Sequence, residues 1–194
     1  MRDTIRLAIC LVAYVLLFGL SIHLLATPAI AGDYIGNFER IPAVQDRPPQ
    51  IGFWETTPTV IVCDSAPISQ LQIASAIRFW ERLGYQFYNT QYKKDPLDKC
   101  TSPNPTGHII IHLATEGVRM EETSLAQTHF YVDNTTDTIS WAIIYMRSDV
   151  RAIVLEHELG HALGFLHYNR VNHLMNEKWK VGGWDSTGLK NKHQ

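Results

Sequence analysis

Cysteine is scarce in this chain, charge of either sign is modest, and repetition is missing. Charged residues make up 19% and the formal net charge is -2. That balance gives no reason to expect nucleic acid or an anionic membrane surface as a partner. No internal repeat and no low-complexity tract interrupts the sequence. Of the three cysteines, Cys10 lies in an apolar N-terminal stretch, which leaves Cys63 and Cys100 as a single pair. What is present is ordinary for a globular protein. With 45% hydrophobic residues over 194 positions, the chain can bury one domain's core once its N-terminal segment is set aside.

The one long hydrophobic run is at the start. Arg2 and Arg6 precede Leu7 to Leu20, apolar character continues to about Ala26, and Ala29-Ile30-Ala31 offers a small-x-small cleavage site. A basic region, an apolar region and such a site form an export signal. The apolar run approaches the ~20 residues that span a bilayer, so an uncleaved anchor is the alternative. Either places the remainder outside the cytoplasm, with membrane contact only through this segment. Residues 1–31 are thus read as signal peptide or anchor, 32–57 as a proline-rich linker or leader, and 58–194 as the domain. An even cysteine pair in an exported chain favours a Cys63–Cys100 disulfide, with two free thiols as the alternative.

Within the domain, Thr59–Cys63 is a β-branched apolar run and reads as a strand. Ser69 caps a helix to about Leu83 that Gly84 ends. Tyr85–Tyr88 is expected to be a second strand, followed by a loop from Gln91 to Gly107. His108–Leu113 is a near-continuous apolar run that fits a buried strand. Leu125–Val132 and Thr138–Tyr145 read as two strands around the turn-rich Asp133–Asp137. Ser148 is expected to cap a helix from about Asp149 to Leu163. This order of elements predicts an α/β (α+β) sandwich.

That last helix holds His157-Glu158-Leu159-Gly160-His161-Ala162-Leu163-Gly164-Phe165-Leu166-His167, which reads H-E-x-x-H-x-x-G-x-x-H without departure. Residues four apart share a helix face, so His157 and His161 can turn two imidazoles on one metal ion. Glu158 can lean over the same site without binding the metal. Gly164 can take backbone angles closed to other residues, end the helix and let the chain turn, bringing in His167 as a third ligand. Three protein ligands and one open position make a catalytic zinc site, not a structural one.

These residues resemble the metzincin clan of zinc endopeptidases. The short connection to Met175 in Asn172-His173-Leu174-Met175-Asn176 is closest to the matrixin family. Tyr168 after the third His and Asn176-Glu177 after Met175 depart from the matrixin pattern. The resemblance implies a zincin-like catalytic domain: a twisted mixed sheet, an active-site helix and a small C-terminal subdomain. It also implies Met175 as a floor beneath the ligands, Trp179 as a pocket wall, and an edge strand at Ser124–Gln127 whose Leu125 and Ala126 align a peptide substrate. No Pro-Arg-Cys-Gly segment is present, so no thiol of that kind holds the zinc from a propeptide. His112 reads as a core or edge residue and Asp133 and Asp137 as a solvated hairpin, although a structural Ca2+ there, or a second Zn2+ at His129, is the alternative.

The expected activity is zinc-dependent endopeptidase cleavage of polypeptides, with Glu158 as general base. Two rivals stand beside it. One is a catalytically idle zinc protein that only recognises peptides, which would not need Glu158. The other is a zinc exopeptidase or amidase, against which a groove open at both ends would count.

Overall fold

An unbroken apolar stretch must be covered on both faces, and His108–Leu113 meets that need at the middle of a five-stranded sheet. The computed structural model describes residues 46–93, 99–114, 120, 124–148 and 153–193. The expected export segment and the first part of the leader lie outside the described residues. The strands are β1 (Thr59–Cys63), β2 (Thr90–Lys93), β3 (His108–Leu113), β4 (Ala126–Asp133) and β5 (Thr138–Met146). They lie in the order β2-β1-β3-β5-β4. β1 pairs in parallel with β2 and β3, and β3 with β5, while β4 runs antiparallel to β5 at the edge. The protein is therefore mixed α/β, with two helices: α1 (Gln70–Arg82) and α2 (Val154–Ala162).

The helices cover one face of the sheet. Val60 and Val62 of β1, Ile109 and Ile111 of β3, and Ala142, Ile144 and Met146 of β5 form a core with Ile73, Ala76, Ile77 and Trp80 of α1 and Leu155, Leu159 and Ala162 of α2. The alternate residues Ile61, Cys63, Ile110 and Ile143 form a thinner apolar layer on the other face, packed with Cys100, Trp141 and Tyr145. The Cys63–Cys100 disulfide is present in this layer. It clips the end of β1 to a 3-10 turn at Lys99–Thr101.

α1 forms as expected. Ser69 Oγ accepts from the Gln72 N–H, the Gln72 side chain accepts from the Ser69 N–H, and a capping box results. Gly84 leaves the helix at φ +93°, a left-handed angle that favours glycine.

Two expectations need correction. The second strand in sequence is Thr90–Lys93, not Tyr85–Tyr88. Tyr85 is buried against the Trp80 and Phe165 rings, so this stretch carries the chain from the helix end back to the sheet. Pairing with β1 begins only at Val60 and Thr90. The motif helix begins at Val154, because Ile153 sits in the left-handed region at φ 78°. Ser148 lies in a turn before it, and the expected residues 149–152 of that helix lie outside the described residues.

The described part of the leader packs into the domain. The Ile51 N–H donates to Gly164 O (2.9 Å) and the Leu166 N–H to Pro49 O (2.9 Å). Phe53 exchanges hydrogen bonds with the start of β5: its N–H donates to Asp137 O and its carbonyl accepts from the Ile139 N–H. The Trp54 ring is 8% exposed, and its indole N–H donates to Ala162 O at 2.8 Å.

Candidate metal centre

α2 lies against β4 and α1 with both sides loaded. Leu155, Leu159 and Ala162 enter the core, and Glu158 and His161 are buried as well. Gly160 lies where the helix meets Trp80 and Met175: a Cβ there would stand 2.9 Å from Trp80 Cζ2 and collide with Met175 Sδ. Past Ala162 the chain turns at Gly164, φ +90°. A Cβ on Gly164 would collide with the Gly52 carbonyl. The leader thus runs so close to this turn that only glycine fits, and the turn delivers His167.

The structure brings the three expected histidines together. One ring nitrogen from each of His157, His161 and His167 lies within 4.8 Å of the others. Ring centroids are 4.7 Å apart for His157–His161, 4.7 Å for His161–His167 and 5.4 Å for His157–His167. Among the described residues this is the one such cluster of three or more potential ligands.

The hydrogen bonds around the rings decide which nitrogens face inward. His157 Nδ1 is 2.7 Å from Leu174 O, and His161 Nδ1 is 2.7 Å from Phe165 O. A carbonyl only accepts, so each Nδ1 carries the proton and each Nε2 a lone pair. The two Nε2 atoms face each other at 3.0 Å. Two lone pairs at that distance cannot hydrogen-bond to each other, but both can bind a cation. Donation of the second ring N–H to a backbone carbonyl is also how metal-binding histidines are oriented. Burial lowers His157 and His167 to about 4, helped at His157 by the neighbouring His167. His161 falls well below its ordinary value through burial and then its two histidine neighbours. The donor set is therefore neutral imidazole. Three such nitrogens could hold a metal ion and suit zinc, though also other transition metals.

Glu158 is 5% exposed. Burial raises its carboxyl to about 7, opposed by a hydrogen bond from Thr128. Thr128 Oγ1 lies 2.5 Å from Glu158 Oε2 and 3.2 Å from Glu158 O.

Met175 is fully buried beneath the helix. Its carbonyl accepts from the Tyr168 N–H at 2.7 Å, and its N–H donates to His173 Nδ1 at 3.0 Å. His173 Nε2, left with the proton, donates to Thr187 O at 3.0 Å. The buried His173 therefore pins the turn whose Leu174 carbonyl holds the His157 ring. Sequence reasoning missed it, as it missed Thr128 and Trp54. A histidine two residues before Met175 was the available signal for the first.

The remaining expected site residues are spread out. Leu125 is half-buried against the core, and Ala126 opens β4, the edge strand, opposite Met146. Trp179 sits in a turn closed from the Val181 N–H to Lys178 O, 39% exposed, with Lys180 Nζ 5.7 Å from its ring centre. His112 and His129 flank the Tyr145 ring on the outer face of the sheet. Asp133 accepts from the Thr135 N–H within its own turn. Comparison with protein-family models and with curated proteins found no match.

Proposed function

We propose that the chain is an exported zinc-dependent metalloendopeptidase of metzincin type, nearest the matrixins, with a zincin-like catalytic domain. The carrying observation is the pair of Nε2 atoms of His157 and His161 facing each other at 3.0 Å, with His167 beside them and the buried carboxylate of Glu158 next to His157 in the chain. His157, His161 and His167 would hold the ion. When bound, zinc supplies Lewis acidity and a water-derived nucleophile at neutral pH.

The chain's own residues carry the rest. Glu158 takes the proton of the attacking water on its carboxylate and returns it to the leaving amine. The Leu174 and Phe165 carbonyls keep the ligand rings in one tautomer and orientation. Met175, fully buried against Gly160 of α2, is assigned to the floor of the site by the metzincin resemblance. β4 ends the sheet, and its outer edge, with Leu125 and Ala126, accepts an extended polypeptide by main-chain hydrogen bonding. Trp179 is assigned to the wall beside the scissile bond by the matrixin resemblance.

The Cys63–Cys100 disulfide supports an oxidising compartment. Among the described residues no helix is long and apolar enough to cross a membrane. The test is hydrolysis of a peptide library by the purified chain, with and without a chelator, alongside its metal content. Chelator-sensitive internal cleavage with about one zinc per chain is expected. Zinc without cleavage would favour the idle peptide-binding protein, and release of terminal residues alone would favour an exopeptidase.

A further inference from the structure

Thr128 stands on the helix-facing side of β4, 7% exposed. Its partner across the sheet is Ile144, and Phe130 lies two residues on, both buried in the core. Nothing in that apolar layer calls for a hydroxyl, and valine has nearly the same shape. Among the described residues its hydrogen-bond contacts are both to Glu158, 2.5 Å to Oε2 and 3.2 Å to the backbone O. A hydroxyl has a single proton to give. The 2.5 Å contact is at the short, charge-assisted end of O–H···O⁻ bonds, so the carboxylate takes it.

We propose that Thr128 is a positioning residue: its hydroxyl fixes Oε2 of Glu158 and thereby sets Oε1 as the oxygen that exchanges protons with water and leaving group. Three physical facts carry this. The terminal torsion of a glutamate is broad, so a carboxylate without a fixed partner samples many planes. Thr128 is β-branched and stiff at χ1, and it sits inside a strand paired along its length with β5, so its hydroxyl direction is set by the fold. A buried carboxylate also needs a donor to offset lost hydration, and this bond supplies one. The strand whose outer edge would take the peptide then also orients the base, so substrate and proton acceptor are registered by one element.

The inference rests on the peptidase reading and is tested so that the two can fail separately. Thr128→Val, Thr128→Ser and Thr128→Ala are prepared in the full chain, loaded with zinc and compared for zinc content, melting temperature, kcat and KM. In Thr128→Val and Thr128→Ala, zinc content is expected to stay near one per chain and KM to change less than about threefold. Their kcat is expected to fall on the order of 10–10²-fold, the scale of a misplaced catalytic group. Thr128→Ser keeps the hydroxyl and is expected to stay within about fivefold of the parent. If valine disturbs folding, the serine–alanine comparison carries the same contrast. A double-mutant cycle on denaturant midpoint needs no activity. Thr128→Val should lower the midpoint in the parent and lower it less in Glu158→Ala, where the carboxylate is gone. An equal shift in both backgrounds, or parental kcat in Thr128→Val, overturns the role of Thr128. A parent chain that binds zinc and cleaves nothing brings down the peptidase reading instead, whatever the cycle shows.

Discussion

In the proposed mechanism three histidines hold the metal and Glu158 moves the proton, and substitution separates the two roles. In that mechanism Glu158 is a base and not a ligand, so Glu158→Gln should retain zinc while turnover drops about 10²–10⁴-fold, the usual cost of losing a general base. His167→Ala should lose both. Metal analysis beside a peptide assay reads the two together, and full zinc occupancy in His167→Ala would remove that residue from the site. Gly160 poses a different question. Alanine there gains about 1 kcal/mol of helix propensity, but its methyl would press on the rigid Trp80 ring and the buried Met175 sulfur. Overpacking of that kind costs about 1–3 kcal/mol, and the fixed aromatic tips the balance. Gly160→Ala should therefore lower stability by about 1 kcal/mol in denaturant unfolding, and an unchanged midpoint would show that Met175 can yield.

At the scale of elements, what could be read in advance was what neighbouring residues determine. The cap and box at Ser69 and Gln72 are local, and α1 forms where they place it. The apolar run of β3 needs no partner to be recognised, and the spacing of His157, His161 and His167 foretold the histidine cluster. Features decided by distant partners were not legible. β2 is a short edge strand, Thr-Gln-Tyr-Lys, whose identity comes only from pairing with β1. Ile153 gives no sign of the left-handed angle that delays α2. Thr128 looks like any strand threonine until α2 is laid across it. Trp54 is the plainest case: a tryptophan among prolines whose ring enters the core 108 residues away, at Ala162. Trp54→Ala should cost about 3–5 kcal/mol, as large aromatic truncations in cores do, and a chain begun at Thr57 should unfold at lower denaturant than one begun at Gly32. Equal midpoints would return residues 46–57 to the status of a linker. The disulfide acts on the opposite face. It closes a separation of 37 residues, for which the chain-entropy model gives about 4 kcal/mol. Cys63→Ser with Cys100→Ser should lower thermal stability by about 2–4 kcal/mol with the zinc content unchanged, because neither residue touches the helix-side core.

For the whole molecule, the metal is expected to be part of the fold's stability as well as its chemistry. The three histidines come from a helix and from the turn after it. The carbonyls that hold two of them belong to that turn and to the loop carrying Met175. The leader crosses the same turn at Ile51 and Gly164, and His173 ties the Met175 loop to Thr187. A single ion bound to the histidines would thus brace the helix, its exit turn and, through hydrogen bonds, both flanking segments, none of which the unfolded chain holds in place. A ligand that binds only the folded state stabilises it by RT ln(1 + [L]/Kd), about 4 kcal/mol at a thousandfold excess over Kd. For a domain of this size each kcal/mol moves the melting temperature by about 2–4 °C. Chelation should therefore lower the melting temperature by about 8–16 °C, and added zinc should restore it in proportion to the logarithm of its concentration. The same titration on His161→Ala should be flat. Scanning calorimetry with a chelator series decides the matter, and a parent chain whose melting temperature ignores zinc would mean that the histidine cluster, however well arranged, does not bind the ion tightly enough to serve as its site.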